Sequence, residues 1–335
     1  MMSQRIDRFI LAVVTGLLAM TLATPARAQY SDLDLKWSQA ARDTALANYH
    51  NVFPILGRKA LERGIRLQAP LGINLNYFVA SQTIAISNLA LAVNESEWID
   101  MSQVIKFENA NSDVENVNGR VDLWVFPFLN VYGIYGQSWA RTRVKISDPI
   151  EFSAEAEPKG QTYGPGFTVA GGLQGFWFAY DTNWTWSNLD ILSDPVRTRT
   201  LGVRVGKNYR WLDKSVAAWV GAMKLELESG TEGTVRLGDV LPDVPPQFGE
   251  KFDDWYDNLT PPQQAIVDQV REKWEGGNLA DAEVHYRLDK EPTAPWTMAV
   301  GAQMEFSRKW TFRTEFNFLG DRTSVLANIV RRFDL

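Results

Sequence analysis

The 335-residue chain contains no cysteine and only two histidines, His50 and His285. The first absence excludes a disulfide scaffold and zinc held by thiolates. The second leaves too few imidazoles for a histidine-rich metal site. No block of lysine and arginine occurs, and the formal charge is −6. An acidic chain without clustered basic residues is a poor partner for nucleic acid, whose phosphates demand them. Nothing after residue 28 is a long apolar run, so no spanning helix is expected there. G-x-S-x-G, H-E-x-x-H, P-loop and calcium-loop patterns are also missing. What the chain has in quantity is aromatic residues, 12% of the total with 13 tryptophans. That abundance excludes disorder.

Residues 1–28 read as a secretory signal. Arg5 and Arg8 supply the basic start, Phe9 to Leu22 the apolar stretch, and Ala26-Arg27-Ala28 an A-x-A cleavage site. Gln29 is then the expected mature N-terminus. The apolar stretch is shorter than the ~20 residues of a membrane anchor, and no cysteine follows to carry lipid. Arg5, Arg8 and Arg27 against Asp7 give the segment +2, so removing it takes the chain from −6 to −8.

The remainder alternates with period two, the spacing of a strand that divides two environments. Trp310, Phe312, Thr314, Phe316 and Phe318 share one face, and Thr311, Arg313, Glu315 and Asn317 the other. Trp296 to Phe306 and Phe176 to Trp186 repeat the pattern. Trp219, Met223, Leu225 and Leu227 oppose Lys224, Glu226 and Glu228. A soluble sandwich alternates too. Here, however, the aromatics collect near strand ends, and Trp184, Trp186, Trp219, Trp296, Trp310 and Phe333 are expected at the membrane interfaces. Strands of roughly 10 residues suit a tilted membrane strand, and only a closed barrel satisfies every backbone group in lipid. A soluble β-rich periplasmic protein is the alternative.

Connections alternate in length. Short turns fall near 127–129, 174–175, 208–214 and 307–309. Longer ones fall at 147–163, 189–195 and 230–295, with 319–323 a short exception among them. The pattern predicts an all-β, antiparallel transmembrane barrel of twelve strands over residues 65–335. The strands are expected at 66–79, 83–93, 98–109, 116–127, 130–146, 164–173, 176–188, 196–208, 215–229, 296–306, 309–319 and 323–333. Ten strands, with 29–97 outside the wall, is the alternative.

Together the signal segment, the girdled strands and the final strand Ser324 to Leu335 resemble a Gram-negative outer-membrane β-barrel protein. In the final strand Val325, Ala327, Ile329, Phe333 and Leu335 keep the alternation, Arg331 breaks it, and Leu335 replaces the usual terminal aromatic. The resemblance is one of architecture over the whole mature chain. It implies residence in the outer membrane after secretion to the periplasm, contact with outer-membrane lipids, and recognition of the last strand by the barrel assembly machinery. It specifies neither substrate nor oligomeric state.

Two helical pieces stand apart from the wall. In 244–277, Phe248, Phe252, Trp255, Tyr256 and Leu259 fall at helical spacing. Thr260, Pro261 and Gln263 then form a capping arrangement for a second helix presenting Ile266, Val267, Val270 and Trp274, which Gly276-Gly277 ends. The two apolar faces predict a helical hairpin in the longest outside loop, either self-packed or serving as a lid. Within 29–64, Leu46, Tyr49 and Val52–Phe53 could form an amphipathic face, with Pro54 interrupting it. This piece is either a luminal plug or a helix under the periplasmic rim.

No catalytic or metal constellation is found, and no cofactor is expected. His50 and His285 lack a nucleophile motif around them. Arg141, Arg143, Lys145, Arg204, Lys224, Glu226, Glu228, Glu305, Arg313 and Glu315 are expected to point inward, either as a ladder of salt bridges or as a selective constriction. The expected function is a narrow or gated channel for small solutes. A non-conducting barrel displaying its helical loop is the alternative, and an outer-membrane lipid hydrolase trails both.

Overall fold

A computed structural model describes residues 39–335 except 94–97, 103–104, 109, 149–151, 174–175, 191, 193, 213, 229, 237–255, 276–282 and 308. The signal segment and the first half of the expected hairpin, with Phe248, Phe252 and Trp255, lie outside the described residues. Short helices α1 (Gln39–Ala47) and α2 (Gly57–Glu62) come first. The strands are β1 (Leu71–Val93), β2 (Ile99–Asp100), β3 (Lys106–Phe107), β4 (Ala110–Phe126), β5 (Leu129–Asp148), β6 (Phe152–Ala156), β7 (Lys159–Leu173) and β8 (Phe176–Leu189). They continue with β9 (Val196–Trp211), β10 (Lys214–Leu227), β11 (Gly230–Arg236), β12 (Glu283–Pro292), β13 (Trp296–Ser307), β14 (Trp310–Phe318) and β15 (Arg322–Phe333). Helix α3 (Pro261–Glu275) stands between β11 and β12.

Ten strands close on themselves. β1 pairs with β15 on one edge, from Leu71 opposite Phe333 to Gln82 opposite Arg322, and with β4 on the other. β14, β13, β10, β9, β8, β7 and β5 complete the ring, every pair antiparallel. The wall therefore has ten strands rather than twelve. The segments expected at 66–79 and 83–93 are one strand of 23 residues, and within 98–109 the described residues form only the two-residue strands β2 and β3. The ten-strand alternative also misplaced this region, because β1 is in the wall. Asn88, in the left-handed region at φ 53°, marks a bulge where β1 shifts register against β12 without ending.

Length differs sharply around the ring. β14 has 9 residues, about what a tilted strand needs to cross a membrane. β1, β4 and β5 run 23, 17 and 20 residues and rise past the membrane at the long-loop end. There β12 takes the place of β15 beside β1, β11 pairs with β12, and a bridge from Gly233 to Leu192 ties β11 to the β8–β9 connection. The barrel thus has two storeys, the upper one at the long-loop end, which is the outer end expected from sequence. Of the outer connections, β14–β15 alone is tight. Leu319 and Gly320 both take left-handed dihedrals there, φ 63° and 78°, which glycine adopts without steric cost.

In the lower storey the outer face is apolar. Ile73, Leu75, Val121, Val203, Val220 and Ile329 are each at least 41% exposed. A soluble protein does not leave such a continuous apolar belt in water. Trp184, Trp186 and Trp296 ring its upper edge, and Trp310 and Phe333 its lower edge. Arg331, which interrupts the alternation, lays its guanidinium 5.5 Å from the Trp310 ring and 5.1 Å from that of Phe333. It is a snorkelling interfacial side chain. Trp219 departs from expectation: it is buried and points into the lumen.

The N-terminal segment sits at the short-turn rim. The Ile55 amide donates to the Val125 carbonyl at 2.8 Å, and the Leu335 amide to Asn51 Oδ1 at 3.1 Å.

Because Val220 pairs with Val300 midway up the belt, Val220→Arg is expected to destabilise the barrel by about 2–4 kcal/mol. The midpoint of urea unfolding in bilayers would read it. An unchanged midpoint would contradict the lipid-facing assignment.

Candidate functional site

Along β5 and β10 the polarity of the two faces inverts at the upper aromatic ring. Below it, Val131, Tyr135 and Trp139 of β5 face outward, and Asn130 and Ser138 face in. Above it, Arg141, Arg143 and Lys145 face outward, and Ala140, Val144 and Ile146 face the lumen. On β10, Val216 and Val220 face outward below, while above, Lys224 and Glu226 do so and Leu225 and Leu227 turn inward. Lipid selects the apolar exterior of the lower storey, and water selects the charged exterior of the upper.

Five of the ten residues expected in the lumen are therefore on the outer wall. Arg141 bonds Glu155 and Glu157, Arg143 bonds Glu155 at 2.9 Å, and Lys145 bonds Glu108 at 3.1 Å. Lys224 reaches Glu226 at 2.6 Å, which Arg199 also approaches. Glu228, just past the end of β10, pairs with Arg197 at 3.3 Å at the upper rim. Glu305 shares the inward face of β13 with Gln303 near the short-turn end. The period-two rule carries the face correctly along each strand, but not which face is lipid once a strand leaves the membrane.

Arg204, Arg313 and Glu315 meet inside the lower storey. Glu315 is 1% exposed. Arg204 grips it in a fork, Nε to Oε2 at 2.6 Å and Nη2 to Oε1 at 2.8 Å. Arg313 Nη2 and Trp219 Nε1 donate to the same Oε2 at 2.8 and 2.9 Å. Arg204 also bonds Asp181. Arg204 stands on β9 and Glu315 on β14, three strands apart, so the pair is a chord across the lumen rather than a contact along the wall. Trp219 lies flat over Gly301, where a Cβ would overlap the indole. Glycine at 301 is what lets the indole reach Glu315.

A second charged group lies towards β1. Asp122 accepts from Asn74 at 2.7 Å, Asn130 at 2.6 Å and Arg332 at 3.0 Å. Arg120 stacks 3.5 Å over the Tyr132 ring and donates to Asn130. From there an amide and hydroxyl ladder runs along the wall. Asn328 donates to Asn76, Asn76 to Asn118, Asn118 to Asn116 and Asn116 to Ser138. Ser138 then bonds Thr162, and Thr162 bonds Ser187. None of this ladder was singled out from sequence, because isolated Asn, Ser and Thr in strands carry no motif.

Above these polar layers the lumen opens into a chamber. The whole cavity measures about 880 Å³, within the range of small-molecule sites. Its upper part is walled by Ile84 and Ile86 of β1, Val144 and Ile146 of β5, Leu225 of β10 and Leu288 of β12. Over the mouth, Leu89, Met101 and Leu288 form a buried cluster against which Val267 of α3 packs. Gln263 of α3 donates to the Asp100 carbonyl, and Tyr256 bonds Asp268. Helix α3 is thus seated on β1 and β2 at the upper rim. Among the other hairpin residues, Ile266, Val270 and Trp274 lie in α3. The two histidines contribute nothing to the chamber wall. His285 bonds Thr234 on the β11–β12 ribbon, and His50 is in the N-terminal segment.

A closed antiparallel barrel with an apolar belt, aromatic rings at two heights and a polar interior is the architecture of the Gram-negative outer-membrane β-barrels, and the described residues have that architecture. No protein-family model and no curated protein matches it. Among solved structures it is similar to the β domain of the Bordetella autotransporter BrkA, at 8% identity over 79% of this chain and 100% of that one, with a TM-score of 0.38. It is also similar to the outer membrane protein OprG from Pseudomonas aeruginosa, at 8% identity over 80% and 98% of the two chains, TM-score 0.36. A third is the Ralstonia pickettii toluene transporter TbuX, at 9% identity over 80% and 90%, TM-score 0.30.

Because Glu315 is the shared acceptor of two guanidinium groups, Glu315→Gln leaves buried positive charge uncompensated. The expected cost is about 3–5 kcal/mol, read as a lower urea midpoint for loss of the folded band. A loss below about 1 kcal/mol would show that the cross-link contributes little, as at exposed ion pairs.

Proposed function

We propose that the chain is an outer-membrane channel for small solutes carrying an apolar group, which enter from outside and cross a floor gated by the Glu315 cross-link. The observation that carries this reading is the stacking of an apolar chamber, raised above the membrane, on a bonded polar floor. A purely structural barrel has no need of an apolar cavity lifted into water, where apolar surface is costly to expose. A ten-stranded lumen is intermediate between small barrels filled by side chains and wide aqueous porins, and the chord from Arg204 to Glu315 divides what space there is. Passage therefore needs that chord to give way. The non-conducting reading draws on the same chord, since it is fully bonded at both ends.

Liposome swelling separates the two. With folding verified by a heat-dependent gel shift, phenylalanine and leucine are expected to enter faster than arabinose. Glu315→Ala is expected to raise arabinose entry several-fold. No swelling with any solute, in either protein, would leave the non-conducting barrel.

A further inference from the structure

The described acids that line the cavity, Asp181, Glu228 and Glu315, are all paired, but its bases are not. Asp122 is held by Arg332, Asp181 by Arg204, and Glu315 by Arg204 and Arg313. Three cations remain without a carboxylate among the described residues: Arg120, which lies over the Tyr132 ring and bonds Asn130, and two others. Arg322 donates to Thr297 Oγ1 at 3.1 Å, and its Nε is buried without a partner. Lys290 lines the apolar upper chamber and has no hydrogen bond or ion pair among the described residues. Its register neighbour on β1 is Ile86, and Leu288 precedes it on the same face of β12. Burial there pushes its ammonium below the usual lysine range.

The last two cations lie along one line. Arg322 is opposite Gln82 and Lys290 opposite Ile86, on the same edge of β1, since β12 continues where β15 stops. Ile84 stands between them on the lumen face. An unpaired ammonium in an apolar chamber is costly to keep. A carboxylate brought to it would form a charge-assisted hydrogen bond in surroundings that screen charge weakly. The remainder of such a molecule would lie against the Ile and Leu wall.

Resting on the chamber being a solute site, we propose that its ligand is an amphipathic anion, a carboxylate on a small aliphatic or aromatic body. Lys290 takes the carboxylate first, and Arg322 is the next cation on the way to the floor. Neutral apolar molecules fill the same wall but leave Lys290 without a partner, so they bind less tightly.

Isothermal titration of the folded chain in nanodiscs, with empty nanodiscs as blank, tests this using 4-phenylbutyrate and its uncharged amide. The acid is expected to bind at least tenfold more tightly than the amide. Lys290→Met, which keeps the apolar stem and removes a buried charge, is expected to bring the acid's affinity to within about twofold of the amide's. Lys290→Arg is expected to retain it. Equal affinities for acid and amide in the unaltered protein would overturn the anion assignment and leave the chamber standing. Binding of neither compound would overturn the chamber as well. An acid preference that survives Lys290→Met would remove Lys290 as its cause.

Discussion

One constraint orders the molecule: each wall strand changes solvent partway along its length. In lipid, no backbone group can be left unpaired, so the strands must close, and their outward side chains must be apolar. Once the same strands rise into water, the closed ring persists but the pressure on the outer face reverses. β5 shows the result most plainly. Its outward side chains pass from Val131 and Tyr135, through Trp139, to Arg141, Arg143 and Lys145, while its inward side chains pass from Asn130 and Ser138 to Val144 and Ile146. The lower storey is built as a membrane barrel, and the upper as a soluble one with an apolar interior. A chamber of apolar character above a polar floor follows from that inversion.

The floor, in turn, depends on how a narrow lumen can accommodate charge. Buried ion pairs recover their desolvation cost only when every donor and acceptor is placed. Both oxygens of Glu315 meet that condition, with four hydrogen bonds from Arg204, Arg313 and Trp219, while Arg313 Nε is the one buried donor of the group without a partner among the described residues. Trp219 is available because Gly301 admits its ring against the wall, and it packs 5.8 Å from Trp177 on the other side. The glycine, the two indoles and the carboxylate are therefore one arrangement spread over four strands.

Much of the lower storey was legible in the sequence. The spans of β8, β13, β14 and β15 and the alternation of short and long connections follow from period-two patterning and turn residues. Two kinds of error share one physical origin. Counting two strands at 66–79 and 83–93 assumed that a strand ends where membrane-length patterning fades, yet β1 continues through a bulge at Asn88 into the upper storey. Placing Lys224 and Glu226 in the lumen, and Trp219 at the interface, assumed that the apolar face is always the lipid face. Trp219 sits on a strand whose outward face is Val216 and Val220, residues too small to outweigh an indole in a reading of pattern. The inner ladder of Asn, Ser and Thr was illegible for another reason: its partners lie on neighbouring strands, and only register brings them together.

The floor's geometry also sets the form any opening can take. Arg204 is bonded to both Asp181 on β8 and Glu315 on β14. If Arg204 swings toward Asp181, it keeps one carboxylate, and Glu315 keeps Arg313 and the Trp219 indole. The chord then breaks without leaving any charge alone. Losing the two hydrogen bonds of that fork, between groups that stay paired, costs less than orphaning a buried ion, which is worth about 3–5 kcal/mol. A lumen cross-linked by one isolated ion pair would have to strand both partners to open. A lumen cross-linked through a shared, over-supplied carboxylate can exchange partners instead, so a floor can be both closed at rest and able to open.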